Sequence, residues 1–257
     1  MFSAALLLLF STPLSADDGL SAWIASVPPP QASIALAQTL PDSPAAIDAS
    51  VPTTLSAFTR RKLSAQAVSS LNQLQIDCKS TANVTFVQEE IAASDPVSAH
   101  FFDSAIHMRS TFCIDHGTAA QALETFRSEA FRVQAIPLVI SYESTNERSC
   151  IGTQSAVGGT LSPTAFCSQT RLYHHGDTHA VVGWLTDNTG GDSHQSVYYR
   201  HYVIVFKDRP GGGVIGFRGV VTRSKTLGMI QKTLVQTSAG KLHDMMLNKL
   251  STMMSDQ

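Results

Sequence analysis

The feature that most constrains the fold is a series of strand-like segments in the second half of the chain, each ended by a turn-forming run. The strongest is Val197 to Phe206, where ten residues include three Tyr, three Val, one Ile and one Phe. Such residues favour the pleated, half-buried surface of a strand. The glycine-rich run Asp208 to Gly213 follows directly and reads as a turn. The segment therefore predicts an antiparallel sheet whose faces other elements must bury.

The same combination of β-favouring residues and Gly or Pro punctuation predicts further strands. They are Met108–Ile114, Val139–Tyr142, Ser149–Gln154, Thr164–Leu172, His179–Thr186 and Val214–Thr222. Between the first two of these, Thr118 and Gln121 have the spacing of a capping box and predict the start of a helix. Leucines and methionines from Leu227 to Met253 recur every three or four residues, which predicts a closing helix that Gly240 bends or divides.

The N-terminal residues resemble a secretory signal peptide. Ala4 to Phe10 is an uninterrupted apolar run, and Ser11 to Pro13 interrupt it before small residues at the cleavage positions Leu14 to Ala16. No Lys or Arg precedes the run, so only the amino terminus supplies positive charge. The alternative is an N-terminal core helix of a cytosolic protein. We expect residues 1–16 to be removed on export and the mature protein to be secreted or periplasmic.

Composition divides the remainder of the chain. Residues 17–53 are rich in Ala, Ser and Pro, including Pro28-Pro29-Pro30, and predict a linker. Residues 54–104 form an N-terminal helical extension in this interpretation, because apolar residues between Leu55 and Ile76 recur at helical spacing. Residues 105–257 then hold the main α+β domain. No later stretch reaches the ~20 apolar residues of a membrane span.

The four cysteines agree with export. An even number, with no CxxC pair, argues against structural zinc and favours disulfides in an oxidising compartment. Of the three pairings we favour Cys150–Cys167, across two neighbouring strands, with Cys78–Cys113, which would join the N-terminal segment to the domain. Four buried free thiols are the alternative.

The order of these elements is similar to the helix-grip fold of the START-like superfamily, which includes polyketide cyclases and lipid-transfer domains. The resemblance covers residues 105–255. It rests on Met108 to Asp115 followed by the helix from Thr118 to Phe131, and on Ser224 to Leu234 with its continuation to Met254. It implies a curved antiparallel sheet wrapped around a long C-terminal helix, with a cavity between them. The superfamily has no short diagnostic motif, so no functional residue is carried over.

Strand pairing offers candidate ligand-binding residues. If residues 187–196 close a hairpin, Trp184 lies opposite Tyr199, and pairing across Pro210-Gly211-Gly212 sets His201 opposite Arg218. One sheet face would then present these four side chains among valines, as in a ligand pocket. A one-residue slip reverses the assignment, and a solvated outer face is the alternative. Met246, on the closing helix, is a candidate for the opposite wall, although methionine also fills core gaps.

Five histidines between His174 and His201 support a second hypothesis. His175 and His179 flank a carboxylate in His175-Gly-Asp-Thr-His179, and these residue types suit a transition metal. The segment matches no zinc signature, and adventitious surface histidines are the alternative. A metal-dependent or other hydrolase using His174–His201 therefore stays as a competing prediction.

Charge and motifs exclude other classes. The formal charge is −2, from 18 basic and 20 acidic residues without a basic block, which argues against a nucleic-acid partner. Neither a Gly-x-Ser-x-Gly elbow nor a phosphate loop is present, so no cofactor is predicted.

We favour an exported carrier of an apolar or amphipathic, lipid-like molecule. A third hypothesis is an envelope interaction module in which the 54–76 helix docks onto a partner. The sequence does not determine the oligomeric state.

Overall fold

The computed structural model describes residues 16–27, 53–88, 104–136, 139–155, 162–189, 197–224 and 229–256. The helices are α1 (Ala16–Ser26), α2 (Thr53–Asp77), α3 (Ala119–Arg127), α4 (Glu129–Ala135) and α5 (Met229–Ser255). The strands are β1 (Thr81–Gln88), β2 (Ser104–Ile114), β3 (Val139–Ser144), β4 (Arg148–Ser155), β5 (Ser162–His175), β6 (Thr178–Thr189), β7 (Val197–Asp208) and β8 (Val214–Ser224). None of the helices in these ranges is long and apolar enough to cross a membrane. The predicted export sequence lies outside them, apart from Ala16.

All eight strands form one antiparallel sheet in the order β1-β2-β8-β7-β6-β5-β4-β3. Strands β3 to β8 follow one another as neighbours, in the order of a meander of antiparallel strands. Strand β8 pairs with β2, whereas β3 lies at the far edge of the sheet. The connection from β2 to β3, which contains α3 and α4, therefore crosses the width of the sheet. With α5 packed against β1, β2, α3 and α4, this is the predicted helix-grip α+β arrangement.

The inner face of the sheet is the face toward α3, α4 and α5. Phe112 and Phe206 lie on it, with ring centroids 5.8 Å apart, and Phe126 of α3 lies at the same distance from Phe206. From α5, Leu250 and Met254 are buried in the same cluster. This apolar contact explains why the methionine-rich side of α5 turns toward the sheet.

Helix α3 begins where the sequence predicts. The Thr118 hydroxyl accepts a hydrogen bond from the Gln121 backbone N–H at 3.2 Å, and Gln121 Oε1 accepts one from the Thr118 N–H at 3.0 Å. The predicted capping box is therefore confirmed. The Asp208 carboxylate, at the end of β7, also accepts from the Ala119 N–H at 2.5 Å, which ties this helix to the sheet.

The outer face of the sheet carries a layer formed by α1 and α2. Leu20 and Ile24 of α1, and Leu63, Ala67 and Leu71 of α2, are at most 3% exposed and pack against apolar residues of β6, β7 and β8. The structure differs here from the expected linker over 17–53, since residues 16–26 are helical. Residues 54–104 also contribute more than a helix, because β1 pairs with β2 at the sheet edge.

Both predicted disulfides are confirmed. Cys78 follows α2 and is joined to Cys113 of β2, with Cα atoms 5.7 Å apart. Cys150 of β4 and Cys167 of β5 face each other across the ladder, with Cα atoms 4.1 Å apart. The Cys78–Cys113 bridge therefore fastens the end of α2 to the sheet, and the Cys150–Cys167 bridge lies within the sheet.

Of the two predicted effects of Gly240 on the closing helix, a bend or a division, the division is wrong, because α5 is continuous from Met229 to Ser255. Gly240 is exposed and no other side chain lies within 4 Å of the place where a Cβ would stand. The rest of the helix supplies the hydrogen bonds and packing that offset its weak helix propensity, which costs about 1 kcal/mol.

Candidate functional site

A space remains between the inner face of the sheet and α5. The largest part has a volume of about 120 Å³ and lies among β1, β2, α4 and α5. Two smaller spaces, of about 20 and 10 Å³, lie deeper. Arg218 of β8 borders all three, so they meet around one side chain. We call the three together the inner cavity.

One wall of the inner cavity is apolar. Met246 lines both of the larger spaces and packs, partly buried, against the inner cluster. Leu242 and Ala239 stand one and two turns before Met246 along α5, opposite Ala82 and Val84 of β1. Leu242 is 40% exposed, which places the opening of the cavity between α5 and the β1 edge.

The opposite wall carries polar groups. Ser110 of β2 pairs directly with Arg218, and the His243 ring of α5 lies beside them. Burial lowers the pKa of His243; the charge of Asp244 opposes this effect and that of Arg218 adds to it. His243 Nε2 is buried without a hydrogen-bond partner among the described residues. The lowered pKa favours a neutral His243 ring, and Arg218 is the group that makes this lining positive.

A second arginine lies at the deepest end. Arg132 of α4 is 6% exposed, with its guanidinium carbon 3.8 Å from the centre of the Phe126 ring and 5.0 Å from that of Tyr142. Burial lowers the pKa of Arg132, while Tyr142, which is hydrogen-bonded to it, and Tyr202 act in the opposite direction. These aromatic contacts hold the cation where water is largely excluded.

Tyr202 completes this end of the cavity. Its hydroxyl lies 3.2 Å from the Ser149 hydroxyl of β4, across the intervening strands. Gly183 pairs with Tyr202, and a Cβ at that glycine would overlap the tyrosine ring. The absence of a side chain at Gly183 therefore lets the ring lie across β6 and border the Arg132 pocket.

The predicted grouping of Trp184, His201 and Arg218 on one face is wrong. Trp184 pairs with His201, and both side chains are buried under the outer helices at 4% and 1% exposure. Arg218 pairs with Ile204 instead of His201, a shift of three residues that turns it to the inner face. Tyr199 pairs with Arg223, and the surroundings of its side chain lie outside the described residues. Arg218 and Met246 thus line the cavity, and Trp184 and His201 do not.

Sequence reasoning also missed Arg132, Ser110 and Tyr202. The helix predicted from Thr118 stops at Phe131, one residue before Arg132, whereas the chain begins a new helix after Ser128. The signal for that second helix was Ser128, whose hydroxyl caps it by accepting from the Phe131 N–H at 3.1 Å. Tyr202 was not among the candidates because the register expected from the sequence places it on the sheet face away from Arg218.

The histidine segment brings two imidazoles together. The rings of His174 and His179 stack at 4.2 Å across the β5–β6 hairpin, while His175 points to solvent and His194 lies outside the described residues. Within the described part of the chain, no three His, Cys, Asp or Glu side chains are grouped as metal ligands. The stacked rings of His174 and His179 are the feature of the structure that bears on the hydrolase hypothesis.

A further cavity, of about 230 Å³, lies on the outer face between α2, β1 and β2. Its walls include Lys62, Gln66 and Asn83, which are polar and partly or fully exposed, so it is a solvated groove. Burial, with the charge of Lys62, lowers the pKa of His107 beside it to about 4. The apolar side of α2 packs on the sheet, which leaves the solvated side for the partner docking that the third hypothesis requires.

Comparison with known proteins gives similarity in structure. No family model and no curated protein matches the chain. Human STARD10 is similar at 10% identity, over 72% of this chain and 78% of that one, with a TM-score of 0.44. A STAR-related lipid transfer protein from Xanthomonas axonopodis has 9% identity, coverages of 67% and 99% and a TM-score of 0.45. The Zhui aromatase/cyclase from a Streptomyces species has 11% identity over 59% of this chain and 94% of that one, with a TM-score of 0.39. The order and topology of the chain's own elements give the predicted helix-grip α+β fold.

Proposed function

We propose that this protein is exported and carries an apolar or amphipathic small molecule between its sheet and α5. The observation that supports the proposal is the unfilled inner cavity, which has a flexible methionine on one wall and a few polar groups on the other. Ligand sites are typically concave and mostly apolar, with a small number of polar groups that fix orientation. Met246 is suited to such a wall because methionine adapts to ligands of different shape.

The volume sets the size of what enters without rearrangement. An engineered apolar cavity of about 150 Å³ binds benzene, and the largest inner space here is about 120 Å³. Drug-sized ligands occupy about 300–1,000 Å³. A lipid-like molecule therefore fits by placing one end inside and the rest along the opening near Leu242, or by displacing α5 from the β1 edge.

Filling the cavity tests the proposal. Ala239 is half-buried and lines the largest space, so Ala239→Phe should occupy it and lower the affinity for 1-decanol at least ten-fold. Calorimetric titration of the purified protein measures the affinity. Ala120→Phe is the matched control, because Ala120 is exposed on α3 outside the cavity, and should leave binding unchanged. Equal binding by both variants and the parent protein would reject the cavity as the site.

Export has its own test. The two disulfides are stable in an oxidising compartment, and α1 begins at the predicted cleavage point, with Asp17 and Asp18 in its first turn. We expect the intact mass of the protein recovered outside the cytosol of its host to lack residues 1–16. Protein that keeps those residues and stays in the cytosolic fraction would contradict export.

A further inference from the structure

The described lining of the inner cavity includes three arginines and no acidic side chain, and one of the three, the exposed Arg109, lines its largest part. Arg218 borders every part of it, and Arg132 closes the deepest part. The other polar side chains that reach it include Ser110, Tyr202 and His243, which are neutral or positive. Asp244, which influences His243, is exposed and lies outside the lining.

The burial of Arg132 makes this imbalance costly. Removing a guanidinium from water is expensive unless hydrogen bonds and opposite charge replace the lost solvation. Phe126, Tyr142 and a hydrogen bond to Tyr142 supply part of that replacement, but Arg132 Nε is buried without a hydrogen-bond partner among the described residues. The site therefore has unused capacity for an oxygen acceptor, and a negatively charged one gains the most.

The two ends of the cavity differ in chemistry along one direction. Arg132 lines only the innermost space and Arg218 borders all three, whereas Ala239 and Leu242 line only the space that opens at the β1 edge. A molecule that enters through this opening passes Ala239 and Leu242 beside Arg218 and reaches Arg132 last. This direction suits a ligand with a charged head and an apolar tail, and it sets which end enters first.

We propose that the cavity takes an amphipathic anion, whose carboxylate or phosphate head binds Arg218 and Arg132 while its apolar chain lies along Met246 and Leu242. This inference rests on the proposed carrier function and names its ligand class. Arginine is suited to the task because its planar fork matches carboxylate and phosphate oxygens in a bidentate manner. Ser110 supplies a further hydroxyl donor beside Arg218.

The test compares three probes on the full, disulfide-bonded protein by calorimetric titration. Decanoate carries the head and the chain, 1-decanol has the chain with a neutral head, and acetate has the head alone. We expect decanoate to bind at least ten-fold more tightly than 1-decanol, and acetate to bind at least a hundred-fold more weakly than decanoate. Decyl phosphate then replaces decanoate in the titration, to compare a phosphate head with a carboxylate head.

Variants identify the group responsible. Arg218→Met should remove the preference for decanoate over 1-decanol, because the methionine keeps the apolar bulk and lacks the charge. Arg218→Lys keeps the charge and should retain part of the preference, which preserves the test if the Met variant folds poorly. Arg171→Met is the matched control, since Arg171 is an exposed strand arginine outside the inner cavity, and should leave both affinities unchanged.

The outcomes separate the two proposals. Equal affinity for decanoate and 1-decanol, or an unchanged preference in Arg218→Met, overturns the anionic ligand and leaves the carrier intact. Acetate binding as tightly as decanoate overturns the amphipathic assignment, because the chain would then contribute nothing. Failure of both decanoate and 1-decanol to bind overturns the carrier function itself, and the anionic ligand with it.

Discussion

Removing the bridge between Cys78 and Cys113 should lower the free energy of unfolding by about 4 kcal/mol. The two cysteines are 35 residues apart in sequence, and cross-linking them restricts the unfolded chain. The loop-entropy relation gives about 3 kcal/mol for the 17-residue separation of Cys150 and Cys167. The first bridge also fastens the end of α2 to β2, so its loss frees the outer helical layer as well.

Denaturant titration of the double variant Cys78→Ala, Cys113→Ala measures this loss. The double variant Cys150→Ala, Cys167→Ala is the comparison, because its bridge joins neighbouring strands that the ladder already holds together. We expect the larger loss for the first pair, together with faster proteolysis within residues 53–77. A loss of less than about 1 kcal/mol for the first pair would show that α1 and α2 are held by packing alone.

Local chemistry made much of the fold predictable. The capping box at Thr118, the β-branched run from Val197 and the glycines at 211–213 act over a few residues, so the sequence carries them directly. The order of these elements then led to the helix-grip arrangement. Leu20, Ile24 and Val27 were also spaced for one helical face, but the proline-rich composition around them favoured a linker. These residues are buried by α2 and the sheet, which are distant in sequence, so local composition does not reveal their packing.

Strand register was harder to predict, and the candidate site depended on it. The expected turn centred near Pro210, whereas Asp208 pairs with Val214 and leaves five residues in the loop. Gly211, Gly212 and Gly213 all adopt positive φ, which side-chain-bearing residues rarely do, and so extend the turn. The resulting three-residue shift moved Arg218 to the opposite face, since successive residues of a strand face opposite sides of the sheet and an odd shift reverses the face.

His201 lies on the sheet face that the sequence analysis assigned to ligand binding, and that face is buried under the outer helices. Its ring is 1% exposed between Trp184 and Val221 on the sheet and α2 above them, and neither ring nitrogen has a hydrogen-bond partner among the described residues. Burial, with a smaller effect of the Arg60 charge, lowers its pKa from 6.5 to about 3. The native protein therefore keeps this imidazole neutral at a pH where the unfolded chain protonates it.

This difference makes stability depend on pH in a defined direction. Between pH 6.5 and about 3 the unfolded state binds one more proton at His201 than the native state does. The contribution of the neutral ring is complete above pH 6.5 and is lost as the pH falls, at about 1.4 kcal/mol per pH unit. His107, whose pKa is lowered to about 4, adds to the same loss, so the parent protein should weaken steeply in acid.

We expect His201→Leu to flatten that dependence by about 1.4 kcal/mol per pH unit between pH 6 and 4, while leaving the contribution of His107 in place. At pH 7 the variant should be at least as stable as the parent, because an apolar side chain of similar size replaces a buried ring without hydrogen bonds. Urea titrations at pH 7, 6, 5 and 4 measure both effects. The control is His175→Leu, in which the exchanged ring is exposed and the pH profile should not change. Parallel profiles for His201→Leu and the parent would mean that His201 is protonated in the native state, which its burial among apolar side chains opposes.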